Sequence, residues 1–180
     1  MRIISGTYKG RRFQAPKNLP TRPTTDRAKE ALFNILNNRY YFDELRVLDL
    51  FAGIGSIGLE FASRGAQEIT CVDRHQKCIQ FIAKTAQTLD APLHVVKADV
   101  FRFLETYKSK TDIIFADPPY SFSQEEFAKI HRMVFEKELL KPEGMLIIEH
   151  AKHTDLSDLD YFNDHKNYGG SSFSFFENPS

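Results

Sequence analysis

The sequence predicts an α/β fold: a doubly wound, mostly parallel sheet with helices on both faces, a small basic hairpin and helix ahead of it, and an antiparallel C-terminal hairpin behind. Three observations carry this. From Arg46 onward short apolar, β-branched runs alternate with amphipathic stretches. The first run leads into a glycine-rich turn and then a helix. Near the end, Tyr161 to Glu177 alternates apolar and polar residues around Tyr168-Gly169-Gly170.

In chain order, Arg2-Ile3-Ile4-Ser5 and Arg11-Arg12-Phe13-Gln14 flank Gly6 to Gly10 and read as a short hairpin. Pro16 to Pro23 is a linker with three prolines. Thr24-Thr25-Asp26 supplies N-cap chemistry for a helix that buries Ala28, Ala31, Leu32, Ile35 and Leu36 and turns Arg27, Lys29 and Glu30 outward. Strands are expected at 46–50, 67–73, 93–98, 112–117 and 144–149, and helices at 56–64, 75–89, 100–107 and 124–135. Gly65 suits a helix C-terminus, and Lys141-Pro142-Glu143-Gly144 a turn. Strand–helix units of this spacing imply a mostly parallel sheet with helices on both faces. The final hairpin puts Phe173 and Phe175 on one face; they and Phe176 are read as core rather than as base-stacking platforms.

A length of 180 residues suits one domain with an appendage, residues 1–40 forming the extension and 41–180 the body. Apolar content of 42% with 27% charged residues is that of a soluble globular chain, and no apolar run reaches the length of a membrane span. The opening residues lack the features of a signal peptide, and Cys71 and Cys78 fall outside metal-ligand or CxxC spacing. A cytoplasmic protein with reduced thiols and no membrane partner is expected. His150 and His153 are the only close histidines and no Cys or acid cluster joins them, so no metal is expected.

The net charge of zero hides an asymmetry. Residues 1–30 carry eight basic side chains against two acidic, a net of +6, leaving 16 basic against 22 acidic elsewhere, a net of −6. Arg2, Lys9, Arg11, Arg12 and Arg22 belong to this basic arm. An acidic body with such an arm binds polyanions through it, unless the arm is only a solvated face.

Two motifs carry chemistry. Val47 to Gly58, VLDLFAGIGSIG, is a strand, a glycine turn and a helix start, and Asp73 ends the next strand 20 residues after Gly53. This fits the dinucleotide fingerprint, with Asp73 on ribose hydroxyls, so NAD and S-adenosylmethionine both qualify. Asp49 separates them: a carboxylate four residues before the first glycine repels a pyrophosphate but favours a cationic amino-acid end. Asp99, closing the third strand, is placed to meet an adenine amino group and also to cap the helix after it.

The second motif is Asp117-Pro118-Pro119-Tyr120, after the apolar run 111–116. The prolines fix a rigid turn, and Pro119 holds Pro118 extended. The Asp117 carboxylate and the Pro118 carbonyl can accept both protons of an exocyclic amine while Tyr120 faces the attached ring. Such an amine shares its lone pair with its ring; two acceptors favour a tetrahedral nitrogen, and alignment with a methyl donor supplies the rest. The motif does not choose between guanine and adenine, or between RNA and DNA. A non-catalytic RNA-binding assembly factor and an NAD oxidoreductase are the rivals from other classes; the intact Asp117 opposes the first, and the want of a hydride-transfer acid opposes the second.

MRIISGTYKGRRF, RPTTDRAKEALFNIL, VLDLFAGIGSIGLEFASRGA, FADPPY and the Tyr168-Gly169-Gly170 ending together resemble the bacterial small-subunit ribosomal RNA guanine-N2 methyltransferases of the RsmD type, over nearly the whole length. The resemblance implies a seven-stranded methyltransferase sheet, S-adenosylmethionine as donor, and a guanine 2-amino group of 16S ribosomal RNA as acceptor, within a partly assembled small subunit and with the enzyme a monomer. It implies that Asp49, Phe51, Gly53 and Gly55 line the methionine end, Asp73 with Arg74 the ribose, and Asp99 with Val100 the adenine. Asp117, Pro118 and Tyr120 would hold the guanine, and Arg2, Lys9, Arg11, Arg12 and Arg22 would grip RNA phosphates. Two departures stand out: Thr85 where many members carry Asn, and Gly170 where their turn carries an acid.

Overall fold

The computed structural model describes residues 1–20 and 22–179; Thr21, inside the expected linker, and Ser180, the last residue of the expected body, lie outside the described residues. The strands are β1 (Arg46–Leu50), β2 (Glu68–Asp73), β3 (Leu93–Lys97), β4 (Thr111–Ala116), β5 (Leu140–Ala151), β6 (Phe162–Tyr168) and β7 (Ser171–Glu177). The helices are α1 (Asp26–Asn37), α2 (Ser56–Ser63), α3 (Gln76–Leu89), α4 (Val100–Thr106) and α5 (Gln124–Glu136). One seven-stranded sheet runs β3-β2-β1-β4-β5-β7-β6. β1 to β5 pair in parallel and β7 runs antiparallel to both neighbours, so the expected fold class is borne out.

Strand alternation divides the core into two layers. Val47, Ile69, Ile113, Phe115 and Ile147 face α1, α2 and α3, together with Phe173 and Phe175. Leu48, Leu50, Val72, Ile114 and Ile148 face α4 and α5, together with Phe176. All three C-terminal phenylalanines are core, as read from the sequence. On α1, Phe33 meets Phe61 edge-on at 4.7 Å between ring centroids, and its burial contributes roughly 2–3 kcal/mol.

Element boundaries follow local chemistry. Thr25 caps α1 by accepting from the Ala28 amide, and Ser123 with Glu126 forms a capping box on α5. Gly65, at φ +112, follows the last turn of α2. The 141–144 segment is a correction: it lies inside β5 as a bulge with Glu143 at φ 64, the pairing jumping from Thr111↔Leu140 to Ile113↔Met145.

Two further corrections concern the N-terminal extension. The expected hairpin strands reduce to one bridge, Arg2 with Arg12. The two arms still pair through Ile3 N to the Arg11 carbonyl, Gly10 N to the Ile3 carbonyl and Phe13 N to the Met1 carbonyl, at 3.0, 2.9 and 3.0 Å, while Ile4 N and Ser5 N donate to the two carboxylate oxygens of Glu60 on α2, at 2.9 and 3.0 Å. Gly6 presses against the end of α2 so closely that a Cβ would sit 1.9 Å from the Ser63 carbonyl oxygen. Lys29, assigned to the solvated face of α1, is 1% exposed. Its ammonium donates to the Arg2 carbonyl at 2.6 Å and to Ser56 at 3.0 Å, and lies 3.6 Å from Glu60. A buried acid on the neighbouring helix thus turns a surface-pattern lysine inward.

Candidate active site

The strand order reverses between β1 and β4, and at such a switch point the loops leaving the strand ends part. There a cleft of about 390 Å³ opens, of small-molecule size. The loops after β1, β2, β3 and β4 wall it, with Arg22, Pro23 and Thr24 of the N-terminal segment across its mouth.

The β1–α2 turn is held open by its neighbours. Phe51 and Gly53 take positive φ of 57° and 56°, and Ala52 N donates to the Val72 carbonyl at 2.9 Å. Asp73 orders the turn from β2, one carboxylate oxygen accepting from Gly53 N at 2.9 Å and the other from His75 N at 2.8 Å. Asp49, 1% exposed, accepts from Gly58 N at 3.0 Å and from the Cys71 thiol at 3.9 Å. Gly58 is needed for that approach: a Cβ there would lie 2.5 Å from the Cys71 sulfur and 3.2 Å from the Asp49 carboxylate. Burial pushes the Asp49 carboxyl up to about 7, against the Gly58 amide.

Of the residues expected at a cofactor, Asp49, Phe51, Gly53, Asp73, Arg74, Asp99 and Val100 line the cleft. Gly55 does not. It is buried beneath the turn, where a Cβ would meet Ile82 at 2.9 Å, so it shapes the turn without facing a ligand. Asp99 is exposed and caps α4 through the Arg102 amide at 3.1 Å. With acids at Asp49 and Asp73 around a glycine turn, the donor set fits a cationic amino-acid group and a ribose diol and disfavours a pyrophosphate.

Opposite stands the Asp117–Tyr120 ledge, anchored by Asp117 N donating to the Leu50 carbonyl at 3.2 Å. Asp117, Pro118 and Tyr120 face the same cleft as the glycine turn. Burial holds the Asp117 carboxyl well above the usual carboxylate range; the charges of Glu149 and Asp49 add to this and Arg22 opposes it. The Arg22 guanidinium carbon lies 4.8 Å from the Tyr120 ring centroid. Arg22 therefore sits at the cleft, apart from the rest of the arm. Lys9, Arg11 and Arg12 are exposed outside it, Arg11 over the Phe13 ring, and Arg2 pairs with Asp26 at 3.0 Å.

A family model described as "Conserved hypothetical protein 95" matches residues 1–177. The chain belongs to that family. It is 38% identical over 161 residues to YlbH of Bacillus subtilis (strain 168), covering 87% of this chain and 85% of the relative. It is 33% identical over 161 residues to ribosomal RNA small subunit methyltransferase D of Haemophilus influenzae, covering 87% and 81%. The solved structure of yhhF from Escherichia coli superposes with a TM-score of 0.87 at 29% identity, covering 99% of this chain and 98% of that one. The resemblance to the RsmD-type methyltransferases is borne out, and the sheet is that of a methyltransferase.

Sequence reasoning missed part of this family member's site. Phe101 and Phe122 line the cleft, stacked at 6.1 Å, and Phe51 meets Phe122 edge-on at 5.5 Å. Phe51 and Phe101 each stand two residues beyond a strand-ending acid, a spacing that could have singled out Phe101. Thr24 and Glu149, joined by a 2.6 Å hydrogen bond, lie 125 residues apart and carried no sequence signal.

Proposed function

We propose that the protein transfers a methyl group from S-adenosylmethionine to the exocyclic 2-amino group of a guanine in 16S ribosomal RNA, as a cytoplasmic monomer acting on a partly assembled small subunit. The observation that carries the reading is the Asp117-Pro118-Pro119-Tyr120 ledge facing the glycine turn across one cleft, with Arg22 over the Tyr120 ring. A relative named as a small-subunit ribosomal RNA methyltransferase supports RNA as the acceptor.

S-adenosylmethionine, when bound, supplies an electrophilic methyl and a positive charge to an acid-lined cleft. The chain's own residues then do three things. Asp49, Phe51 and Gly53 receive the amino-acid end, Asp73 and Arg74 the ribose, and Asp99 with Val100 the adenine, beside Phe101 and Phe122. Asp117 and the Pro118 carbonyl accept the two amine protons and direct the nitrogen lone pair, and Tyr120 stacks on the base. S-adenosylmethionine held there would supply the methyl for a new N–C bond, and the proton displaced from the amine would pass to Asp117, whose raised proton affinity suits it as acceptor. Arg2, Lys9, Arg11, Arg12 and Arg22 bind phosphates.

Small subunits from a strain lacking the enzyme, incubated with protein and labelled donor, test this by nucleoside mass spectrometry. N2-methylguanosine is expected; methyladenosine without it would establish an adenine-N6 enzyme instead. Asp117→Ala should abolish transfer while leaving S-adenosylhomocysteine affinity within about threefold, since Asp117 acts on the amine. Binding of NAD but not S-adenosylhomocysteine would overturn the donor assignment.

A further inference from the structure

Glu149 lies on β5 just beyond the last β4–β5 pair, Ala116↔Ile148, and so stands beside Asp117. It is 3% exposed and makes no salt bridge among the described residues. Arg22 is the cation whose charge favours its ionised form, and a buried carboxylate is costly where the fold's apolar layers do not require one. Its hydrogen-bond donor comes from the N-terminal segment. Thr24, itself buried, donates its hydroxyl to Glu149 Oε2 at 2.6 Å. Ser171, first residue of β7, lines a small cavity together with Glu149, Tyr120 and Arg22. Pro23 lies between Thr24 and Arg22 and holds Arg22 extended, so fixing Thr24 also fixes where Arg22 reaches. What it reaches is the Tyr120 ring, at 4.8 Å.

We propose that Glu149 is a positioning residue for methyl transfer: it clasps the N-terminal segment at Thr24 against the sheet, beside the C-terminal hairpin, fixing Arg22 over Tyr120 and giving the target-base pocket its closed wall. The proposal rests on the reading of the cleft given above. It gives the arm a second task besides phosphate binding, because the arm also completes the wall opposite the glycine turn. Glu149 does not line the cleft itself and acts through Thr24 and Arg22.

The test uses full-length protein. Thr24→Val removes the donor and keeps the shape; Glu149→Ala removes the acceptor; Glu149→Gln leaves an oxygen for Thr24. Thr24→Val and Glu149→Ala should lower kcat roughly 10–100-fold, the range of one hydrogen bond to a charged group, with S-adenosylhomocysteine affinity within about twofold of the parent. Glu149→Gln should recover most of the rate and move the acid limb of the pH–rate profile to lower pH. Asp117 is faced by Glu149 from β5, Asp49 from β1, Arg22 from the N-terminal segment and Tyr120 from its own ledge, and this change removes one of the negative charges. Hydrogen exchange at the Ala28 and Lys29 amides, which bond to Thr25 at 3.2 and 2.9 Å, should speed up in Thr24→Val. Exchange needs no acceptor, so unchanged exchange overturns the clasp even if the methylated base proves not to be guanine. Unchanged kcat in Thr24→Val, or cofactor affinity falling in step with rate, overturns the positioning role. Where Glu149→Ala fails to fold, Thr24→Val decides alone.

Discussion

Asp49 has competing demands on one carboxylate. Burial lifts its proton affinity from an ordinary value of 3.8 to about 7, so the folded chain holds a proton there that the unfolded chain releases near pH 4. The stabilisation from that proton is complete below about pH 4 and is lost as pH rises through 7. Asp49→Asn should therefore match the parent's stability only below about pH 4 and gain on it by roughly a further 2 kcal/mol between about pH 5 and pH 8, read from urea unfolding at each pH. A cationic ligand group favours the ionised form, so S-adenosylmethionine affinity should weaken below about pH 7 in the parent and be poor at every pH in Asp49→Asn; calorimetry across that range checks both. Greater stability with lost binding marks a side chain kept for its site.

Among the elements, α2 does two jobs: its start follows the glycine turn and its outer turns hold the N-terminal segment. Glu60 accepts from Ile4 N, Ser5 N and Arg64 Nε and faces the Lys29 ammonium. Glu60→Gln turns an amide N–H₂ toward a backbone donor and leaves Lys29 a buried cation with only a carbonyl and a hydroxyl. A loss of about 3 kcal/mol is expected by urea unfolding. Lys29→Met should cost less, because Glu60 keeps three donors; equal losses would mean that packing, not charge, sets the effect. This pair shows where sequence legibility ended. Strand and helix positions were readable because apolar period and glycine punctuation are local. Lys29 was misread because its inward turn depends on an acid 31 residues away, and the hairpin strands are shorter than read because the Ile4 and Ser5 amides turn to that same acid. The cleft-lining acids and the ledge were legible as strand-end residues. The Thr24–Glu149 bond was not, since only the folded sheet brings the two together.

For the whole molecule, the basic arm and the acidic body set the electrostatics of encounter. Arg11 and Arg12 are exposed and free of salt bridges among the described residues, so their charges are available to phosphates. Replacing both with Glu should weaken RNA binding at least tenfold at low salt and flatten its salt dependence, with S-adenosylhomocysteine affinity unaltered; filter binding across a salt series would show it. Unchanged RNA affinity would reduce the arm to a solvated face.

The order of the sheet has a last consequence, at its rims. Its two outer strands are β3 and β6, whose open backbone groups could each template another chain. β6 reads Phe-Asn-Asp-His-Lys-Asn-Tyr, with Asn163 to Asn167 exposed, and β3 shows His94 and Lys97 to solvent. Charge and hydration along both rims penalise strand-by-strand polymerisation, so a sheet with an interior this apolar stays finite.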